Sequence, residues 1–587
     1  MKEAGNARAE AKLLSDVALV AFLIFTLALL LTLARSAGAQ PLPIANSIVF
    51  VKQAPLDYQF ATISDIFGNF QGYYPPDDQP VGGNLFRLDP DGTLTNLTGW
   101  GNAAVRDPEV SYDGTQVLFA MKIGGFGRWQ VWRVPANGSS APVRISLTDQ
   151  YNDLDPAFLP DGRILFTTDR NGWADGYENL PSAQMAVMSA DGSGVQVLKQ
   201  HMAGQFNPLV GSDGMIYFTQ WDFHDRRNSI EQNNSDFDVN RFLLWKIFAD
   251  GSGLDHPHYG THTIYDFTGG YVEIRELPGD PGNFLGLLAD EFFTFGGGSI
   301  VRIEPRANQN LDDPVFLTPD VFLVESDNTA GRWRSPYPLA DGRVAASYSP
   351  GPVYEGSGPL PAWRLVVMSG DGSNQQVLHA DPSLWSWQPV EVAPRTAPTL
   401  APGEMKPDYP YAIINAFDVT LRGINEDDVV NGDFQTALAP GEAKQVRVLR
   451  QDVRTSNLYG EFPDHDDPDV AVIGTAPVHA DGSFAVVIPA DVPVQWELLG
   501  NSGQVLVRER FGTELRPGEI RQCSGCHAPH DGTTGSQTNL ALANPTNLSG
   551  QNVDLDGNGI VDLLEATAAS IFNDGFESGN LAAWTIP

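Results

Sequence analysis

"DPEVSYDGTQVLFAMK" (107–122) joins a proline-marked step, an Asp-Gly pair and a run of alternating apolar residues, and the chain repeats that order three more times. The copies are "DPAFLPDGRILFTTD" (155–169), "NPLVGSDGMIYFTQWD" (207–222) and "SPYPLADGRVAASYSP" (335–350). Asp-Gly supplies turn dihedrals that most residues avoid, and the alternation after it buries one face of a strand, so each copy predicts a hairpin. A second strand pair with its own turn follows several copies, as in "QMAVMSADGSGVQVL" (184–198), "LLWKIFADGSGLD" (243–255) and "WRLVVMSGDGSNQQVL" (363–378). The turn residues Asp113, Asp161 and Asp213 recur at intervals of about 50 residues, the period of a four-stranded propeller blade. The longer gap to Asp341 leaves room for one diverged unit around 283–305, and "SIVFVKQ" (47–53) with "NLFRLDPDGTLTNLT" (84–98) makes another. The expected fold is therefore all-β, a propeller of about six blades, with a β-sandwich as the competing reading.

The repeat resembles that of the TolB-like family of exported β-propellers. Composition agrees with a turn-rich β protein: 59 Gly and 43 Pro in 587 residues, with no extended heptad pattern. The proline-rich stretch "VAPRTAPTLAPGEMKPDYP" (392–410) lacks periodicity and reads as a linker. Beyond it come short strands, "AIINAFDVTL" (412–421), "KQVRVLRQ" (444–451), "GSFAVVIPA" (482–490), "VQWELLG" (494–500) and "QVLVRERF" (504–511), which predict a small antiparallel sandwich.

Directly after the last of these strands lies "RQCSGCHAPH" (521–530), which holds both cysteines of the chain. The spacing C-x-x-C-H offers two thiols for thioether bonds to haem vinyl groups and one imidazole for the iron, so Cys523, Cys526 and His527 are the expected haem c site. Competing readings are zinc held with help from His527 and His530, a redox dithiol, and a plain disulfide closing a loop too short to stabilise much. The iron's second axial position separates two functions. His465 or His479 closing it would make an electron-transfer protein, and an open site would allow chemistry on a small ligand. His530 lies too near His527 in sequence to reach the opposite face. The last methionine, Met405, precedes the haem domain.

The run "IGTAPVHADGSFAVVIPADVPVQWELLGNSGQV" (473–505), followed by "LRPGEIRQCSGCHAPH" (515–530), resembles the hydrazine synthase alpha-subunit-related family, specifically its propeller and haem-bearing middle domain. That resemblance implies thioether attachment at Cys523 and Cys526 and a role for His527 in the motif. In the hydrazine-forming members it also implies a second haem, a tyrosine ligand four residues past the motif histidine, and partner subunits. Here Asp531 stands at that position, no tyrosine follows Tyr459, and there is no second C-x-x-C-H. A hydrazine-forming site is therefore not expected.

Residues 17–34 carry no charge and follow Lys2, Arg8 and Lys12, and Ala37-Gly38-Ala39 fits a signal-peptidase site before Gln40. Export is expected, with an uncleaved anchor as the other reading. The net charge of −36 disfavours nucleic acid and anionic lipid as partners and favours cationic partners or divalent metal, with plain solubility as the other reading. "DLDGNGIVDLLE" (554–565) fits a Ca²⁺ loop: oxygens of Asp554, Asp556, Asn558, Asp562 and Glu565, the carbonyl of Ile560, and Gly559 at the sharp turn. In the propeller, His256, His258 and His262 form a weaker candidate metal group. No G-x-S-x-G hydrolase pattern occurs.

These readings divide the chain into a signal peptide (1–39), a propeller (40–393), a linker (394–411), a c-haem domain (412–535) and a tail with the calcium loop (536–587). The expected function is redox, either electron transfer with a periplasmic partner protein or haem chemistry on a small ligand. The alternative is a protein-binding propeller scaffold with a structural haem.

Overall fold

The structure is a computed structural model that describes residues 42–55, 82–124, 127–175, 181–200, 204–224, 239–253, 258–260, 269–290, 297–305, 314–321, 329–351, 362–421, 438–452, 470–508, 512–523 and 539–566. Its first two thirds form a six-bladed propeller. The second blade pairs Ala103–Val110, Gln116–Ile123, Gln130–Pro135 and Val143–Arg144 in sequence order. The third repeats this with Asp153–Phe158, Ile164–Thr168, Gln184–Met188 and Gln196–Val197, and the sixth with Arg332–Pro338, Val344–Ser349, Arg364–Met368 and Gln376–His379.

The diverged unit expected around 283–305 is the fifth blade, and it is longer than that window: Gly269–Glu276, Phe284–Asp290, Ser299–Ile303 and Val315–Phe316. A short parallel pairing of Arg241 and Phe242 with Gly269 and Gly270 joins it to the fourth blade, Gly204–Val210, Ile216–His224 and Val239–Ile247. The first blade is closed by the far end of the propeller sequence. Trp385–Glu391 pairs antiparallel with Ile48–Gln53, which pairs in turn with Asn84–Leu88. That closure buries Trp385 and Trp387 in the largest apolar cluster, together with Trp132, Trp221, Trp333 and Trp363.

The proline-marked step does more than begin a strand. At Asp107, Asp155, Asn207, Glu273, Ser335 and Gln388 the first strand of each blade bulges, and φ is positive, between 47° and 55°. Such dihedrals are unfavourable for residues with a Cβ and persist where surrounding hydrogen bonds enforce them. The six residues meet around the propeller axis.

The linker is laid along the propeller turns. Arg395 N–H donates to Tyr112 O (2.8 Å), Ala401 N–H to Gly214 O (3.1 Å), and Met405 N–H to Asp250 Oδ2 (3.1 Å). At Gly214, φ is 78° and a Cβ would lie 2.0 Å from Thr399 O, so the turn glycine also makes room for the crossing chain.

The second domain is a sandwich of two four-stranded sheets. One is antiparallel: Val470–Pro477, Gln445–Gln451, Val494–Leu499 and Val505–Arg508. The other is mixed, which corrects the expectation of a purely antiparallel sandwich. Ile520–Cys523 and Thr546–Asn547 add in parallel at either side of the antiparallel pair Tyr411–Ala416 and Phe484–Pro489. Both faces of this sheet are covered. Ala412, Ile414 and Ala416 face the other sheet, while Tyr411 and Ile413 lie under Val553, Val561 and Leu563. Coverage on both sides is why "YAIINA" is buried throughout and does not alternate. Residues 539–566, read as part of a tail, are thus docked on the domain.

Candidate functional site

The strand that carries Cys523 is short, Ile520–Cys523, and is fixed from two directions. Along its side it pairs in parallel with Ile413–Ala416, ending with Cys523 opposite Ala416 and with Phe417 N–H donating to Cys523 O (2.9 Å). Before it, the turn 514–519 wedges against the propeller. Gln200 N–H donates to Glu514 Oε2 (2.5 Å) and Gly253 N–H to Glu519 Oε1 (3.3 Å), while Glu519 also accepts the Arg516 N–H and the Arg521 guanidinium. Lys406 N–H from the linker donates to Pro517 O (2.7 Å). Gly518 sits under this crossing with φ 71°, where a Cβ would come within 2.5 Å of Lys406 Cβ. The Pro-Gly-Glu of "LRPGEI" is therefore an interdomain latch whose last residue opens the cysteine strand.

The latch is electrostatically tense. Glu514 is 1% exposed, and burial pushes its carboxyl up to about 7, against hydrogen bonding from Gln200 and the charges of Arg516 and Lys199. Arg516 makes its shortest ion pair elsewhere, to Asp491 (2.8 Å), and lies 3.8 Å from Glu514. Burial also raises Glu404, with the Glu519 charge adding to the effect.

Cys523 is half-buried and its side chain packs at the margin of the apolar cluster between the sheets. Cys526, His527, His530 and Asp531 lie outside the described residues, as do His465, His256, His262 and the signal segment 1–39. The ends of the intervening segment are nevertheless fixed. Cys523 marks one end, and at the other Leu540 N–H donates to Asp481 Oδ2 (2.9 Å) and Ala541 N–H to Ser483 Oγ (3.1 Å). Asp481 and Ser483 belong to the tight turn that begins at His479, whose N–H donates to Ser483 O (2.8 Å). That turn leads into Phe484, which also pairs with Ala416. The turn and Cys523 therefore share one end of the mixed sheet, two strand spacings apart, roughly 10 Å.

One neighbour carries only a faint signal in the sequence. Asn415 is fully buried, and among the described residues neither its side-chain oxygen nor its nitrogen has a hydrogen-bond partner. It pairs with Gln522 and Ala485 in the ladder. A polar residue inside an apolar-looking strand was its only mark. The latch residues Glu514, Arg516 and Glu519 also escaped the sequence reading, although the Pro-Gly-Glu run was visible.

The calcium-loop residues are brought together as their spacing requires. Oxygens of Asp554, Asp556 and Asp562 lie within 4.8 Å of one another. Asp554 accepts N–H bonds from Gly557 (2.8 Å), Asn558 (3.1 Å) and Gly559 (2.8 Å), and the Gly559 bond leads the effects that hold its carboxyl below the usual range. Asn558 Nδ2 donates to Glu565 Oε1 (2.7 Å), bringing the twelfth residue over the loop. Ile560 is exposed and Val561 buried. The donor set is all oxygen and carries four carboxylates, the chemistry of a hard divalent cation. In the propeller, His258 packs edge-on against Tyr217 (5.3 Å) and near Phe284 (6.4 Å).

Comparison with known proteins places these features. Residues 441–528 match the family model of the hydrazine synthase alpha subunit middle domain. Among solved structures, hydrazine synthase from Kuenenia stuttgartiensis matches with a TM-score of 0.65 at 19% identity, over 86% of this chain and 72% of that one. TolB from Acinetobacter baumannii matches with a TM-score of 0.35 at 14% identity, over 59% of this chain and 66% of that one. No curated protein sequence matches. Among the described residues no helix is long and apolar enough to cross a membrane. Residues 441–528 thus match the hydrazine synthase alpha subunit middle domain, and the fold of the chain, a six-bladed propeller followed by that domain, is similar to that of hydrazine synthase.

Proposed function

We propose that the chain is an exported c-type haem protein that exchanges electrons with a partner protein. Cys523 and Cys526 would hold the haem through thioether bonds, with His527 and His479 as its axial ligands. Haem so ligated supplies a one-electron couple. The observation that carries this reading is the shared sheet end: Cys523, the return of the chain at Leu540 and the His479 turn converge there. A half-buried thiol beside an apolar cluster suits a largely apolar macrocycle, and the turn is braced by the returning chain. The family relation supports haem c, while the missing tyrosine after the motif argues against hydrazine formation.

The same reading gives the loop at 554–565 a Ca²⁺ ion that fixes residues 553–563 over the mixed sheet. Pyridine haemochrome and intact-mass analysis of protein made with the c-type maturation system should show one covalent haem. The reduced wild type should give no CO shift, and His479→Ala should gain one. A CO shift in the wild type, or none in the variant, would remove the electron-transfer assignment; absence of covalent haem would remove the whole reading.

A further inference from the structure

Lys122, near the end of the second strand of the second blade, carries its amine into the interior without a partner. The residue is 2% exposed, and among the described residues its Nζ makes no hydrogen bond and no ion pair. Ala104 stands opposite it in the ladder, and Nζ lies 6.0 Å from the centre of the Trp129 ring. Ala104, Ala120, Trp129 and Leu154 form one small apolar cluster. Leu154 belongs to the third blade, so the amine stands in the seam between two blades. At the opposite end of the same strand pair the turn glycine Gly114 lies under the linker, where a Cβ would come within 3.1 Å of Ala393. Lys122 is therefore at the end of the seam away from the linker.

The charged groups of the packed elements do not supply the missing partner. Arg128, just before Trp129, adds a second positive charge that acts on Lys122. Arg106, on the first strand, lies 5.8 Å from the Trp129 ring centre and is paired with Asp107 (2.6 Å). On the third blade, Asp153 donates its N–H to Trp129 O (2.9 Å), but its carboxylate is taken by Arg170 (2.7 Å), Ser146 Oγ (2.7 Å) and Thr168 Oγ1 (2.8 Å). Asp169 accepts the N–H and Nδ2 of Asn152 (2.9 Å each). Burial first, and then the charge of Arg128, pull Lys122 down to about 8, which leaves the amine mostly charged at neutral pH. A buried ammonium without a counter-charge is costly, and one negative charge in the seam would offset it. The ammonium offers three N–H donors and no acceptor, while Trp129 and Leu154 offer apolar surface beside it. A carboxylate on a short carbon chain answers both, with oxygens toward the amine and carbon toward the indole. A phosphate or sulfate would bring two charges and leave the apolar surface uncovered.

We propose that the seam between the second and third blades binds a small organic carboxylate against Lys122, either a free acid or an acidic side chain of another protein. The test is the thermal midpoint of the full chain at pH 7 with 50 mM sodium propionate, against equal sodium chloride, in the wild type and in Lys122→Met. Propionate should raise the wild-type midpoint by about 2 °C over chloride, the size expected for about tenfold excess over Kd on a domain of this length. Lys122→Met keeps an unbranched side chain and removes the charge, so a general salt effect of propionate would persist in it while the site's own shift disappears. Independently of how that variant folds, the wild-type shift should shrink at pH 9.5, where the amine is neutral. A shift from the peptide acetyl-Gly-Glu-Gly-amide but not from propionate would assign the site to an acidic side chain. No shift from either, an equal shift in a folded Lys122→Met chain, or an undiminished shift at pH 9.5 would overturn the proposal.

Discussion

Replacing Glu514 by Gln should strengthen the chain at alkaline pH and leave it unchanged in acid. Glu514 is buried in the interdomain latch, and its folded-state pKa of about 7 stands against an ordinary value of 4.5. Because the folded value is raised, the folded state holds the proton more tightly than the unfolded chain does. Below the unfolded value both states are protonated and nothing is lost. As pH rises from about 4.5 to 7 the folded state is progressively penalised, and above 7 the penalty is complete. At 1.36 kcal/mol per pH unit, the difference corresponds to about 3 kcal/mol at pH 8. Glutamine keeps an acceptor for the Gln200 N–H and removes the titration. Urea unfolding of both proteins from pH 4.5 to 8 should therefore give curves that coincide in acid and separate by about 3 kcal/mol in favour of the variant at pH 8. If Glu514→Gln were instead the less stable protein at pH 8, the carboxylate would be ionised and stabilised by Arg516 and Lys199, and the account of the latch would fail.

Three further outcomes follow from other sites. Trp387→Ala, in the strand that closes the ring, should cost about 3–5 kcal/mol in propeller unfolding, since the ring is fully buried and Arg334 lies 4.0 Å over it. Asn415→Leu keeps the side-chain shape and removes two unpartnered polar atoms, so the haem-free chain should be stabilised by about 1 kcal/mol in the same urea assay; a loss of more than that would show the amide to be satisfied. Calcium should slow proteolytic removal of residues beyond 539, and Asp562→Asn should abolish that protection; identical digestion with chelator would exclude the site.

The propeller was legible because its repeat writes turn and strand in the same residues, Asp-Gly followed by alternation. The fifth blade was only half legible for a physical reason. It keeps a polar residue, Glu273, but has Ile274 where the other blades have proline, and "PGDPGN" (278–283) in place of Asp-Gly, so its bulge and turn do not carry the repeat's letters. The mixed sheet was hidden by distance along the chain, since Ile413–Ala416 finds its parallel partner more than 100 residues later. At the candidate site, the convergence of Asp554, Asp556 and Asp562 was readable because those residues are local in the chain, while Cys526 and His527 of the thiol motif lie outside the described residues. The latch, the buried amide of Asn415 and the shared sheet end of the His479 turn and the Cys523 strand arise only from tertiary placement. The polar-proline step was seen as a strand opener, and its second role, a ring of side chains on the axis, needed all six blades assembled.

Closure of the first blade by Trp385–Glu391 sets an order for biogenesis. A chain emerging amino end first, from ribosome or translocon, cannot complete its ring until residue 391 is out, so the early blades must wait with an open seam. The cysteine strand and its latch emerge more than 100 residues later and dock on turns of the third and fourth blades that are by then locked in place. If the thiols carry haem, as proposed, the attachment machinery would meet a strand that seats on a finished wheel.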